Sequence, residues 1–229
     1  MGSSPTPRAI YPTIIDIVTD RLQTDSLGRG LRIGLTGGMG CGKSTVGDLL
    51  EKKGFRRKDA DRIVRELLEG DQEVIGAIKS RYGENVFVTG SQLDRVKLAQ
   101  IVFADEQELK WLEQLLHPRV RSNWEQAVKR EPEKNWVVEI PLLFENRLET
   151  CFDSVIAVFV DEAEQWRRLL RKGFSRETIS ARLSRQWSVS LKAEAADFVL
   201  LNQGSVSFLE EQTDYFLQTI QNFCPTHRP

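Results

Sequence analysis

At 229 residues and 40% hydrophobic content, the chain is long enough to bury a full core, either as one α/β domain or as a core domain carrying an insertion. Its 32 basic and 33 acidic side chains leave a formal net charge of -1, which argues against nucleic acid or an anionic membrane as a partner. Three scattered cysteines, Cys41, Cys151 and Cys224, make neither a disulfide framework nor a zinc site and fit a reducing, cytoplasmic setting, and no apolar run approaches the ~20 residues of a membrane span.

Residues 1–30 lack the apolar centre and cleavage site of a secretory signal. Met1-Gly2-Ser3-Ser4-Pro5-Thr6 formally fits a myristoylation pattern, but no basic cluster supports an anchor. Ile14, Ile15, Val18 and Leu22 fall on one face of a short helix ahead of a break at Gly28-Arg29-Gly30. The apolar run Leu31 to Leu35 then reads as a buried parallel strand, followed by Gly37-Gly38-Met39-Gly40-Cys41-Gly42-Lys43-Ser44-Thr45. Gly37, Gly42, Lys43 and Ser44 match the pattern G-x-x-x-x-G-K-S/T, and the strand, loop and helix order is the context that the pattern requires. Glycines let the loop wrap an anion closely, and the helix that follows adds the positive end of its dipole. In such a cradle Lys43 reaches the β- and γ-phosphates, the Ser44 hydroxyl joins the shell of a magnesium ion, and Thr45 faces the α-phosphate.

Val46, Leu49 and Leu50 form the buried face of the helix, which stops at Gly54. Phe55 to Asp61 reads as a short, unusually polar strand running into Asp59-Ala60-Asp61. A carboxylate at such a strand end can orient an acceptor hydroxyl and take its proton, or it can simply cap the next helix, and both readings of Asp61 stand; Asp59 reads as structural or as a water-mediated neighbour of the metal. Residues 60–82 form two helices meeting near Gly70, and Gly83 and Gly90 bracket an irregular connection. From Leu93 to about Arg130 the pattern is helical, with Leu98, Val102, Leu109, Leu112, Leu115 and Leu116 inward and interruptions around Ala104-Asp105 and His117-Pro118. That block is long for a crossover and reads as an inserted subdomain; Trp111, Trp124 and Trp187 read as core residues.

Two further strands, Trp136 to Ile140 and Val155 to Val160, look buried on both faces. Glu139 at the end of the first is either an acid acting through water on magnesium or an ordinary strand-end carboxylate. A basic helix from Gln165 to Lys172 breaks at Gly173-Phe174-Ser175, and a second runs from Ser175 to about Trp187. Arg167, Arg168, Arg171, Lys172, Arg176, Arg182 and Arg185 cluster around that break, as a closing lid over a transferring phosphoryl group requires, although a charge run is usually a solvated face. Phe198 to Leu201 is the last strand, and a final helix runs from Ser205 to Phe223.

Taken in order, the loop Gly37 to Thr45, Asp59-Ala60-Asp61, Leu93-Asp94-Arg95 with Val102-Phe103, Leu116-His117-Pro118, Pro141-Leu142-Leu143-Phe144-Glu145 and Asn202-Gln203-Gly204 resemble the dephospho-CoA kinase family over residues 31 to about 220. The resemblance implies an α/β P-loop kinase fold: a parallel sheet flanked by helices, with a helical CoA-binding insertion and a lid. It implies an N-terminal extension over 1–30, a kinase domain over 31–223 and a tail over 224–229. Within the domain it implies a core of 31–60, 134–165 and 197–223, a substrate subdomain of about 61–133 and a lid of about 166–196. The implied reaction is ATP-dependent phosphorylation of the ribose 3′-hydroxyl of dephospho-CoA, with magnesium, in the cytoplasm. Lys43, Asp61 and Arg168 are the implied catalytic residues. Gly38, Met39, Gly40, Cys41, Gly42, Lys43, Ser44, Thr45, Asn202 and Gly204 are the implied ATP contacts, and Ser44 the metal ligand. Either Arg171 or Lys172 fills a second basic lid position, and Cys41 stands where serine is commoner. The competing readings are a kinase for another small alcohol or nucleotide and a nucleotide-dependent switch; no Asn-Lys-x-Asp guanine signature supports the latter.

Overall fold

The computed structural model describes residues 28–88 and 92–223, with side chains as far as Ile220; the helix read around Ile14 to Leu22, Gly90 and the tail after Phe223 lie outside the described residues. Arg32–Gly37 forms β1, inaccessible from Ile33 onward, and its lack of charge beyond Arg32 suits it to the middle of a sheet. It pairs in parallel with β5 (Trp136–Glu139) on one side and β6 (Ser154–Phe159) on the other, and β6 pairs in parallel with β7 (Phe198–Leu201). The five-stranded order is β2-β5-β1-β6-β7, with β2 (Arg56–Asp59) at one edge.

Helix α1 (Lys43–Lys52) buries Val46, Leu49 and Leu50 in the core that contains Ile33, Leu35, Val137, Ile156 and Val158. The polar sequence of β2 is explained by its edge position and by a glycine opposite. The Arg57 guanidinium reaches Glu139 at 2.7 Å and Asp48 at 2.5 Å across space where a Cβ on Gly47 would stand 2.5 Å from Arg57 Cζ. Residues 28–30, read as a break, are in neither helix nor strand, yet Arg29 and Gly30 are packed. Arg29 makes a two-pronged pair with the Asp153 carboxylate at 2.9 and 2.6 Å, and Asp153 also accepts the Arg32 N–H at 2.7 Å. Gly30 lies against the neighbouring backbone, where a Cβ would meet the Lys134 carbonyl at 2.0 Å.

The chain divides into two compact units, one made of the described residues up to Arg57 and from Glu133 onward, the other of Lys58–Pro132. The second unit contains α2 (Ala60–Gly70), α3 (Gln72–Tyr82), β3 (Phe87–Val88), β4 (Gln92–Leu93), α4 (Arg95–Ala104) and α5 (Glu106–Arg130). Its core joins Leu68, Val74, Ile78, Val86, Leu98, Val102 and Leu116. Where the sequence suggested an irregular connection, β3 and β4 form a short antiparallel pair, Phe87 opposite Leu93. The interruption expected at His117-Pro118 is absent, for α5 runs through Pro118. Buried Leu116, Val120, Trp124 and Val128, each one helical repeat apart, hold the helix across it. The Arg119 guanidinium adds a donor to the Leu115 carbonyl at 2.9 Å in the turn where proline removes one.

After β6 come α6 (Glu162–Arg171), α7 (Arg176–Leu183) and α8 (Val189–Ala195), and α9 (Val206–Phe223) follows β7. The helix read from Ser175 to about Trp187 is shorter than expected, and a further helix that the sequence did not suggest follows it. The first ends at Leu183, and Ser188 opens the next by accepting the Leu191 N–H. Trp124 is core at 4% exposure and Trp111 is partly buried. Trp187 is not core: it is 43% exposed and stacked on Phe144, with ring centroids 5.8 Å apart.

Candidate nucleotide site

The loop between β1 and α1 turns on glycines at positive φ, with Gly37 at 146°, Gly40 at 84° and Gly42 at 89°. At Gly42 the requirement is double, because a Cβ there would also stand 2.1 Å from Asn202 Nδ2. That amide donates to the Cys41 carbonyl at 2.8 Å, so the residue after β7 props the loop from beneath. The Asn202 carbonyl in turn accepts from Arg168 Nη2 at 2.5 Å, and the Arg168 Nε is held by Glu164 at 2.6 Å. These contacts bring Arg168 and Asn202 against the loop, with the Arg168 Nη1 3.8 Å from the position of a Gly42 Cβ. Gly204 is exposed beside Phe208.

Helix α1 begins differently from the other described α-helices. Asp59, Asp71, Asp94, Asp105, Asp161, Ser175, Ser188 and Ser205 each place a side-chain oxygen on a backbone N–H in the first turn of their helices. Helix α1 starts at Gly42 with no side-chain cap and no acidic residue in its first turn. With no side chain capping its first turn, the helix dipole presents a partial positive charge at the loop. Lys43 sits beside it, 8% exposed, with its ammonium on the Gly37 and Gly38 carbonyls at 3.0 and 3.2 Å. Ser44 is exposed in the same turn and Thr45 is half-buried. Burial pushes the Cys41 thiol up, more than Lys43 and Arg168 pull it down, so the loop carries a neutral thiol rather than an anion.

Several other expected residues are also located. In the second unit Asp59, not Asp61, caps α2, accepting the Asp61 and Arg62 N–H groups at 2.9 and 3.2 Å. The capping reading of Asp61 therefore falls, and Asp61 lies exposed in the first turn of α2. Glu139 is 5% exposed and paired with Arg57. Among the basic residues clustered around Gly173, Arg167 is turned to Glu164 at 2.6 Å, Arg182 lies over the Phe174 ring at 5.1 Å, and Arg171 and Lys172 are exposed. Sequence reasoning missed Gln165 and Gln186, which brace Met39. Gln165 Nε2 donates to its carbonyl at 2.8 Å, and Gln186 Oε1 accepts its N–H at 3.3 Å. The available signal was Gln165 standing one turn before Leu169 on the buried face of an otherwise polar helix.

A glycine-turned loop, a helix start with no side-chain cap and a lysine ammonium beside it suit a multiply charged anion, and after a parallel strand this pattern is that of a nucleoside polyphosphate site. Fold and loop thus place the chain in the class of P-loop kinases. The model of the family "Dephospho-CoA kinase" matches residues 31–207. A dephospho-CoA kinase of Carboxydothermus hydrogenoformans is 38% identical over 190 residues, covering 81% of this chain and 92% of the relative. One from Synechococcus sp. strain CC9902 is 40% identical over 189 residues, covering 81% and 95%. Among solved structures, TT1252 from Thermus thermophilus aligns with a TM-score of 0.71 at 36% identity, covering 83% of this chain and 97% of that one. The dephospho-CoA kinase from Campylobacter jejuni aligns at 0.58 and 28% identity, covering 83% and 97%. The chain belongs to the dephospho-CoA kinase family.

Proposed function

We propose a division of labour among this chain's residues for the reaction of its family. The chain uses ATP to phosphorylate the ribose 3′-hydroxyl of dephospho-CoA, giving CoA and ADP, the last step of CoA biosynthesis. The N–H groups of the Gly38 to Thr45 loop and the open start of α1 take the triphosphate, and Lys43 exchanges its two carbonyls for the β- and γ-phosphates. Arg168, already oriented by Glu164 and Asn202, neutralises charge on the phosphoryl group in transfer. Asn202 and Gly204 pack against the adenine.

The site fits a magnesium ion in one respect: the Ser44 hydroxyl is exposed at a helix start with no competing cap. Among the described residues no His, Cys, Asp and Glu cluster offers a preformed metal site, so Ser44, phosphate oxygens and water would hold the ion. When bound it supplies charge neutralisation on the phosphates. Asp61 orients the acceptor hydroxyl and takes its proton, the Lys58–Pro132 unit receives the CoA moiety, and residues 166–196 serve as the lid. No helix among the described residues is long and apolar enough to cross a membrane, and a cytoplasmic setting suits the substrates.

The observation that carries this reading is the uncapped start of α1 beside a buried Lys43, in a chain whose other described α-helices are all capped. A panel of acceptors with ATP and magnesium tests it. CoA and ADP should form in equal amounts from dephospho-CoA, with little transfer to shikimate or nucleoside monophosphates. Transfer to those acceptors and none to dephospho-CoA would refute it.

A further inference from the structure

A second lysine lies beside the loop, and none of the roles above uses it. Lys192 of α8 is 0% exposed, and its ammonium donates to the Pro141 carbonyl and pairs with Glu145 Oε1 at 2.8 Å. Both acceptors are shared. The Pro141 carbonyl also takes the Thr36 hydroxyl at 3.3 Å, in the strand that feeds the loop. The Glu145 carboxylate also takes the Trp187 N–H at 2.8 Å, and Phe144 stacks on the Trp187 ring. Lys192 is thus the point where the stem of the loop, the 141–145 turn and the 187–192 segment meet.

That segment touches the loop directly. A Cβ on Gly38 would stand 2.8 Å from Val189 Cγ1, and Gln186 holds the Met39 N–H. A fully buried lysine needs a reason, since desolvation opposes its charge and only hydrogen bonds and an opposite charge offset that cost. Burial indeed pulls the Lys192 ammonium below its ordinary value, while Glu145 opposes the shift, and the group also senses the charge of Lys43. In general a buried ion pair contributes little net stability compared with well-packed apolar residues of similar volume.

We propose that Lys192 is a positioning residue for the nucleotide: by tying Pro141 and Glu145 together it holds residues 186–189 against the Gly38-Met39 corner of the phosphate loop. The corner is then kept in its anion-binding shape before ATP arrives, so the residue acts on nucleotide affinity rather than on the acceptor. This rests on the nucleotide reading given above.

The experiment compares the parent with Lys192→Met, Glu145→Gln and the double variant. It measures ADP and ATP binding by calorimetric titration, both KM values and kcat, and the thermal midpoint. Lys192→Met is expected to weaken nucleotide binding and raise the ATP KM about tenfold or more, while the dephospho-CoA KM stays within about twofold. Its midpoint falls, because Glu145 is left as a buried acid whose Oε2 already has no hydrogen-bond partner. The double variant removes that stranded charge, so its midpoint recovers but its ATP KM does not. It also keeps the test open should Lys192→Met fail to fold. An ATP KM within about twofold of the parent in the double variant would overturn the proposal, as would equal rises in both KM values. A parent that bound no ADP, or made no CoA, would instead refute the underlying function, so the two failures are distinguishable.

Discussion

Helices α1 and α2 each follow a strand of the same sheet, yet their first turns carry opposite electrostatics. At α1 the cap is a left-handed glycine, the first turn has no acid, and a lysine lies alongside. At α2 a carboxylate, Asp59, closes the N-terminus, and a second, Asp61, stands in the first turn. One start is left open to an anion, and the other is already capped by Asp59. The contrast suits the first element to phosphate and agrees with the proposal that Asp61, in the second, handles the acceptor proton.

Substitutions can break each half of the contrast. Lys43→Ala should have the largest effect, lowering turnover by roughly 1,000-fold in a coupled ADP-release assay, because it removes the buried ammonium that lies beside the open helix start. Asp61→Asn should lower kcat by about 100-fold with nucleotide affinity, read by calorimetry, largely kept. Arg168→Ala should slow transfer by about tenfold or more at an unchanged circular-dichroism spectrum, since its partners Glu164 and Asn202 retain backbone or solvent contacts. The smallest effect belongs to Asp59→Ala: loss of the α2 cap should cost about 1 kcal/mol in denaturant unfolding, with less loss of turnover than Asp61→Asn.

Much of this contrast was legible in the sequence. The apolar run of β1, the loop glycines and the Val46, Leu49, Leu50 spacing are local signals, and the structure follows them. Which aspartate caps α2 was not legible, because both Asp59 and Asp61 are good caps and only the chain's turn into the helix at Ala60 decides between them. The β3–β4 pair escaped because two-residue strands are too short to show a period. Pro118 misled because its local cost is outweighed by a buried stripe that reaches well past it. Trp187 looked like core by composition, but a stacking partner 43 positions back in the chain holds it at the surface. Gln165, Gln186 and Lys192 form the least legible layer, because their partners are backbone groups and acids brought close only by the fold.

The most direct test gives α1 the kind of first turn that α2 already has. Ser44→Asp places a carboxylate at the open helix start, where it complements the dipole but repels phosphate. The thermal midpoint should hold or rise while ATP affinity, measured by calorimetric titration, falls by about 100-fold or more. An unchanged ATP affinity in the folded variant would contradict the assignment of this helix start as the phosphate site.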